Sequence, residues 1–447
     1  MEENKSLEVF ENAPVRKAVL QNALPAMAAM LMVLVYNLAD TFFIGQTHDD
    51  LQVAAVSLAT PVFLLFMAVG SIFGIGGVSV ISRAMGEGRR EYARKVCSFC
   101  MWCCVAIGII MSALFLIFME QILALVGASP ETWDYARTYL RIVSFSGPFV
   151  LISSCYSNVI RAEGQSGKAM MGQLIGNLLN VILDPLMILG LGWNIAGAAI
   201  ATVIGNVIGA AYYICYFLKG NSMLSISLKE FSVKDQIASE VLKIGIPAAL
   251  GSLLMSVSGI LMNAQMAKYG DMAVAAAGVA MKVIMMTGMV CIGLGQGVQP
   301  LLGYCVGAKN WDRYKSVLRF SLIFAFALST ALTVLCYLFT KQIVRVFLTD
   351  VTAFQYGVKF SRIFLCTSFL FGVFYVISNA IQALGAAREA FIVNISRQGI
   401  IYIPALFLLG ALFQEIGLIW AQPVADLLSL ILAMVLYRRK EKCMVEE

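Results

Sequence analysis

The stretch A-V-L-Q-N-A-L-P-A-M-A-A-M-L-M-V-L-V-Y-N-L-A-D-T-F-F-I-G, Ala18–Gly45, carries a single charge, Asp40. It is longer than the ~20 residues that cross a bilayer as helix, and the chain repeats the pattern to its end. Of 447 residues, 60% are hydrophobic and 13% charged, about half the ~25% charged content of soluble domains. Mean hydropathy is +0.83. So few charges cannot coat the two or three soluble domains that this length would otherwise imply. Composition therefore excludes a soluble enzyme, a secreted disulfide scaffold and a nucleic-acid binder, and leaves an all-α, multi-pass membrane protein.

Apolar runs set against breakers predict twelve helices. They fall at Ala13–Gly45, Leu51–Met85, Tyr92–Met119, Thr132–Ile160, Lys168–Leu191 and Ile195–Phe217, then Gln236–Lys268, Met272–Val306, Trp311–Leu338, Phe354–Leu384, Glu389–Leu412 and Ile416–Tyr437. Basic residues gather in alternate connections, among them Arg83, Arg89, Arg90, Arg94, Lys229, Lys234, Lys309, Arg313, Arg388, Arg438 and Arg439. The opposite side has fewer: Arg137, Arg141, Lys268, Lys341, Arg345, Lys359 and Arg362, with His48 beside Asp49 and Asp50. The positive-inside rule puts both termini in the cytoplasm, as an even span count requires. The first residues are acidic (Glu2, Glu3, Glu8, Glu11) and lack a basic n-region, so no cleaved signal peptide is expected.

Offset by about 221 residues, the halves align. Leu24–Met27 meets Ile246–Ala249, Val53–Val56 meets Val274–Ala277, and Gly74, Gly76 and Gly86 meet Gly295, Gly297 and Gly307. Ala162 and Gly164 meet Ala383 and Gly385, while Gly197 and Ala201 meet Gly417 and Ala421. Six helices return the chain to its starting side, so these are parallel repeats, an organisation of transporters whose lobes rock about a central cavity. The expected domains are an N-terminal lobe, 1–219, a cytoplasmic linker, Gly220–Asp235, and a C-terminal lobe, 236–447.

Polar groups at membrane depth mark function by default, because burying them is expensive. Counting ~1.5 Å per residue, Asp40 lies about 8 Å from the outer end of its helix, and Asp184 and Thr202 about 11 Å from theirs. Asn180 shares a helix face with Asp184, and Tyr36 and Asn37 one with Asp40. Pro25 interrupts the first helix and should kink it. An internal salt bridge is the bland alternative, and Arg141 is the basic partner within reach of that level. The acid pair is not duplicated: Met262 and Ala405 stand at the matching positions. The second half offers instead Lys282, an Arg397–Asp426 pair at mid-depth read as structural, and Gln296 and Gln299 on a flexible Gly-rich stretch, G-L-G-Q-G-V-Q-P.

Other chemistry is not readable. Cys97, Cys100, Cys103 and Cys104 have metal-like spacing but sit in an apolar helix with no histidine near, so they read as small, reduced helix residues. Gly167–Lys168 lacks both the upstream Gly, where Ala162 stands, and the following Ser/Thr of a phosphate-binding loop. No metal ligand set or nucleophilic triad is expected, which leaves an ion gradient as the drive.

Pro25 with N-L-A-D-T-F-F-I-G (Asn37–Gly45), N-V-I-L-D-P (Asn180–Pro185), and G-L-G-Q-G-V-Q-P-L-L-G-Y-C-V-G-A (Gly293–Ala308) together resemble prokaryotic members of the multidrug and toxic compound extrusion (MATE) family. R-A-E-G at Arg161 and A-Q-P-V-A-D at Ala421–Asp426 fit as well. The likeness covers nearly the whole chain and is nearest the branch related to DNA-damage-inducible proteins. It implies twelve helices in two lobes and export of bulky, often cationic organic compounds in exchange for protons or sodium. It also implies a cation site at Asp40, Asn180, Asp184 and Thr202. Another branch uses acids of the seventh and tenth helices, and the membrane portions of those spans here contain none. Tyr36, Asn37, Lys282, Gln296 and Gln299 are the expected substrate contacts. No resident cofactor, metal or nucleic-acid partner is expected. The chain is taken as a monomer in a bacterial or archaeal cell (inner) membrane. A flippase of lipid-linked precursors is the alternative, although an anionic pyrophosphate cargo wants Arg and Lys where this lobe offers carboxylates. A channel would need a repeated selectivity ring.

Overall fold

The computed structural model describes residues 8–45, 50–220, 222–348 and 350–446, and His48 and Asp49 lie outside the described residues. Within them the chain is helical and without strands, since backbone in lipid must satisfy its own N–H and C=O groups. In the first half α1 is Val15–Gly45, α2 Asp50–Gly86 and α3 Arg90–Ile117. The bent α4 consists of Trp133–Ser144 and Gly147–Glu163, and α5 (Ser166–Gly190) and α6 (Asn194–Leu218) follow. The second half opens with α7 (Ile237–Met266), α8 (Asp271–Gly307) and α9 (Trp311–Leu338). The bent α10 consists of Val351–Ser368 and Phe371–Ala383. The remaining helical stretch is divided at Gln414, where φ is 55°, into α11 (387–413) and α12 (415–446). Counted this way, the described residues hold the expected twelve spans.

The bends in α4 and α10, 58° and 47°, differ from the uninterrupted helices expected at Thr132–Ile160 and Phe354–Leu384. In α4 the second segment opens on Gly147-Pro148, and Pro148 has no N–H to continue the ladder from the first. The bend in α10 has no proline. Its exposed carbonyl is satisfied by a neighbour: Ser329 of α9 donates through Oγ to Phe369 O at 2.6 Å.

The chain divides into two compact units whose borders differ from the expected lobes. One comprises the residues up to Asn12 together with Ala28–Gly245, and the other comprises Ala13–Met27 with Ile246–Glu447. The first turns of α1 thus belong with the second half, and those of α7 with the first. Glycines one repeat apart make both exchanges sterically possible. A Cβ on Gly76 of α2 would stand 2.1 Å from Val241 O of α7, and one on Gly297 of α8 would stand 2.6 Å from Ala23 Cα of α1. Pro25 and Pro247 lie inside α1 and α7 close to where each helix passes from one unit to the other. The Gly-rich stretch of α8, read from sequence as flexible, is therefore regular helix packed backbone to backbone.

Each unit has its own interior. Asn158 and Asn379, one repeat apart, each donate to the carbonyl four residues back, Ser154 O at 3.0 Å and Tyr375 O at 2.8 Å. In the first unit Cys97, Cys100 and Cys104 are buried in α3, with Cys97 Sγ 3.7 Å from the Tyr156 hydroxyl. The described cysteines are free thiols. Outward faces carry exposed Ile109, Ile117, Ile323, Leu338 and Leu408, the surface a bilayer covers.

Candidate functional site

The site in the first unit begins with a column on α5. Gly172, Gly176, Asn180 and Asp184 recur every four residues, and all four are buried, because that spacing returns to one helix face. Opposite them α6 buries Ala198, Thr202, Gly205 and Gly209. The helices meet backbone to backbone at Gly176 and Gly205: a Cβ on Gly205 would lie 2.7 Å from Gly176 O. Small residues permit such approach, and it decides what the next turn can do. With its amide turned so that both ends are satisfied, Asn180 donates to Asp184 Oδ2 at 3.0 Å. It accepts from the Thr202 N–H at 3.0 Å and from Thr202 Oγ1 at 3.2 Å. Pro185 then ends the regular helix, and Leu186–Gly190 continues as a wider π turn, a distortion found often beside functional groups.

The other half of the site comes from α1. Tyr36 and Asp40, one turn apart, are half-buried. The two carboxylates stand close enough to repel one another. Tyr36 lies against Thr202 and within the field of both acids. Asp40 Oδ1 and Asp184 Oδ1 are buried, and neither has a hydrogen-bond partner. The structure thus brings together Tyr36, Asp40, Asn180, Asp184 and Thr202, whereas Asn37 is exposed. Arg141 is exposed, and among the described residues no ion pair joins it to either acid, so the salt-bridge alternative has no partner here.

Sequence reading missed three groups. Tyr139 of α4 is buried against Thr202, in the field of Asp40 and Asp184. Its position in the outer half of α4, level with Asp40, is the signal that was there to be read. Asn177 and Gln173 continue the polar line along α5, and each has a buried amide atom without a partner. Their spacing of three, seven and eleven from Asn180 and Asp184 is visible in the sequence.

The second unit closes the corresponding place. Met262, where the repeat puts Asp40, is buried with Tyr402, Leu406, Ala421 and Ala425, and Ala405 packs against that cluster. Tyr402 donates its hydroxyl to Met262 Sδ at 3.2 Å. To within a residue of the repeat length, the Gly176–Gly205 crossing is replaced by Arg397 and Asp426. Arg397 donates through Nε to Asp426 Oδ1 at 2.8 Å and through Nη1 to the Tyr375 hydroxyl at 2.7 Å. Its guanidinium lies 4.7, 4.9 and 5.2 Å from the ring centroids of Phe371, Phe374 and Tyr375. It rides on a second π turn, Ser396–Ile400, whose Gln398 carbonyl accepts from Ser258 Oγ at 2.5 Å.

The expected substrate contacts on α8 are spread out. Lys282 Nζ lies 5.1 Å from the Phe347 ring centroid. Gln299 is buried and donates to Gln382 Oε1 at 3.3 Å, while Gln296 is half-buried. Lys282 and Gln296 are about 21 Å apart along the helix, too far to touch one small ligand at one point. Among the described residues no group of three or more His, Cys, Asp or Glu side chains forms a metal centre. The first-unit cluster offers two uncommitted carboxylate oxygens beside amide and hydroxyl groups. That suits a proton or a hard monovalent cation, which prefers oxygen ligands.

Comparison with known proteins agrees with this architecture. The MatE family pattern matches twice, over residues 25–186 and 247–408, a spacing that reproduces the internal repeat. The multidrug export protein MepA of Staphylococcus aureus is 33% identical over 449 residues, covering 99% of this chain and 98% of the relative. The protein of that name from Staphylococcus haemolyticus is 32% identical over 450 residues, with the same coverage. A solved outward-facing structure of a multidrug resistance MATE family transporter of the MOP superfamily superposes with a TM-score of 0.94 at 22% identity, over 99% of each chain, a likeness of fold. The double family match and the full-length relatives together assign the chain: it belongs to the MATE family, as a prokaryotic membrane transporter and not an enzyme.

Proposed function

We propose that the chain is a cation-coupled antiporter that exports bulky, often cationic organic compounds in exchange for protons or sodium by alternating access. The observation that carries this reading is the Asp40–Asp184 pair: two carboxylates, each with a buried oxygen that has no hydrogen-bond partner, and, among the described residues, no ion pair to a basic group. Burying uncompensated like charges is costly, so the site favours taking up a positive charge. Asn180, held by Thr202, fixes the second carboxylate, and both supply oxygens to a sodium ion, while Tyr36 and Tyr139 wall the site. Facing outward, the pair loads a proton or sodium ion. Facing inward, organic cargo and the coupling ion compete, so each biases the conformational equilibrium oppositely, which is what antiport requires. The Staphylococcus relatives are multidrug export proteins, which favours drug-like cargo. The chain works as a monomer in the cell membrane of a bacterium or archaeon, with no resident cofactor.

Purified protein in liposomes, given a fluorescent organic cation, should show saturable uptake driven by an imposed proton or sodium gradient. Unsaturable conductance would make it a channel, and lipid scrambling without counterflow a flippase. Either outcome removes the antiporter reading.

We further propose that both termini are cytoplasmic. Single cysteines at the exposed positions Arg90, Lys229 and Lys309, in a cysteine-free background, should stay unlabelled by impermeant maleimide in intact cells. Cysteines at Asp49 or Asp271 should label. Reversed accessibility overturns the orientation.

A further inference from the structure

In the second unit, α9 and α10 meet along an open groove of about 370 Å³ whose walls include Tyr337, Gln355, Val358, Lys359, Arg362 and Ile363. Gln355, Lys359 and Arg362 follow the i, i+4, i+7 spacing of one helix face. Lys359 is exposed. Arg362 is half-buried, with its guanidinium 5.1 Å from the Tyr337 ring centroid and its buried Nε without a hydrogen-bond partner. Among the described residues no ion pair joins either cation to an acid. Asp350, the acid nearest in sequence, is occupied as a helix cap, accepting from the Ala353 N–H at 2.9 Å. Lys341 and Arg345, on the short helix Thr340–Phe347 that leads into this corner, add further positive charge, and Arg345 is itself 5.5 Å from the Phe354 ring centroid.

This concentration of cations runs against the charge pattern of the chain, because it sits at the end of the helices that the positive-inside rule leaves poor in Lys and Arg. Cations within a spanning segment are expensive unless something pairs with them, and among the described residues no carboxylate pairs with them here. The groove combines two unpaired cations on one helix face with an apolar wall at Val358 and Ile363. The complementary ligand is an amphiphile with an anionic head and a hydrocarbon tail. Basic pockets between spanning helices on the cytoplasmic side bind phospholipid headgroups in this manner, and the same chemistry serves an anionic headgroup on the opposite side.

We propose that this groove is a binding site for one anionic phospholipid, its phosphodiester held between Lys359 and Arg362 and an acyl chain laid along Val358 and Ile363. Only its placement in the outer leaflet rests on the orientation proposed above, and the test does not depend on that orientation. Native mass spectrometry of the full-length protein in detergent, titrated with phosphatidylglycerol or with phosphatidylcholine of the same acyl chains, reads the site directly. One phosphatidylglycerol should be retained in preference to phosphatidylcholine. In K359Q/R362Q its apparent affinity should drop about thirtyfold, the equivalent of losing two such basic contacts, while K359R/R362K keeps the charges and should keep the lipid. Both variants are checked for monodisperse elution. If the glutamine pair fails to fold, K359Q alone, at an exposed position, should still weaken retention. Equal retention of the two lipids, or unchanged binding by the glutamine variant, would overturn the proposal. So would displacement of the lipid by inorganic phosphate, which would reduce the groove to a simple anion site.

Discussion

Asp184→Asn should give a transporter that is made, inserted and folded like the parent but whose gradient-driven export in everted vesicles falls to the level of protein-free membranes. The expectation follows from what the asparagine keeps and what it removes. Its side-chain oxygen occupies the place of Oδ2 and can still accept the Asn180 amide at the observed 3.0 Å, so the α5–α6 contact through Gly176 and Gly205 is undisturbed. What disappears is the negative charge on the buried, unpartnered oxygen. The site then resembles its cation-loaded form permanently and cannot respond to a gradient. Asp40→Asn should behave alike, since the two carboxylates share one field. The double variant should be little worse than either single one, because groups that act as a unit are non-additive when removed. Undiminished gradient-driven export by Asp184→Asn would place coupling elsewhere, with Lys282 and Asp426 the next residues to examine.

The acids of this site were legible in the sequence because charge inside an apolar run is rare and costly. One lone Asp in Ala18–Gly45 needs no structure to be noticed. The twelve spans were legible for the same reason in reverse, their apolar length. The features that were not legible depend on backbone proximity, which no local pattern encodes. G-x-x-x-G at Gly172–Gly176 and at Gly205–Gly209 marks close approach, but nothing in either segment says that the other is its partner. The exchange of helix ends at Gly76 and Gly297 is likewise a tertiary fact. From sequence the stretch around Gly297 suggested flexibility, and in the structure Gly76 and Gly297 are where neighbouring backbone takes the place of a side chain. The bend of α10 was hidden because it has no proline, and the group that satisfies its freed carbonyl, Ser329, lies on another helix. Tyr139 was overlooked because tyrosine in a bundle usually only packs, and its burial against Thr202 is visible only once α4 is seen beside α6.

The second large effect concerns the place where the halves differ most. Arg397→Met or Asp426→Leu alone should lower folded yield and thermal stability in detergent sharply, because each leaves the other charge buried without compensation, at a cost of ~3–5 kcal/mol. Combining the two should recover much of the loss, since an apolar pair of similar volume is often no worse than a buried ion pair. The surroundings support this ordering. Asp426 Oδ1 already accepts from Arg397 at 2.8 Å and from Gln422 at 2.9 Å, and Arg397 is enclosed by three aromatic rings. That is a site whose charges are met by its own side chains, unlike the acid pair of the first unit, which has unpartnered oxygens. Gradient-driven export by the double variant should survive in proportion to the folded protein recovered. Normal stability with lost transport in each single variant would show the pair to be functional. The pairing also explains how one repeat length accommodates two different helix crossings. Gly176 and Gly205 let α5 and α6 touch, leaving Asn180 and Asp184 together at the next turns. In the second half Arg397, carried on the π turn Ser396–Ile400, bridges α11 to Asp426 of α12 through a side-chain hydrogen bond instead. The repeated frame thus carries an acid pair with unpartnered oxygens in its first half and a closed ion pair beside an apolar cluster in its second.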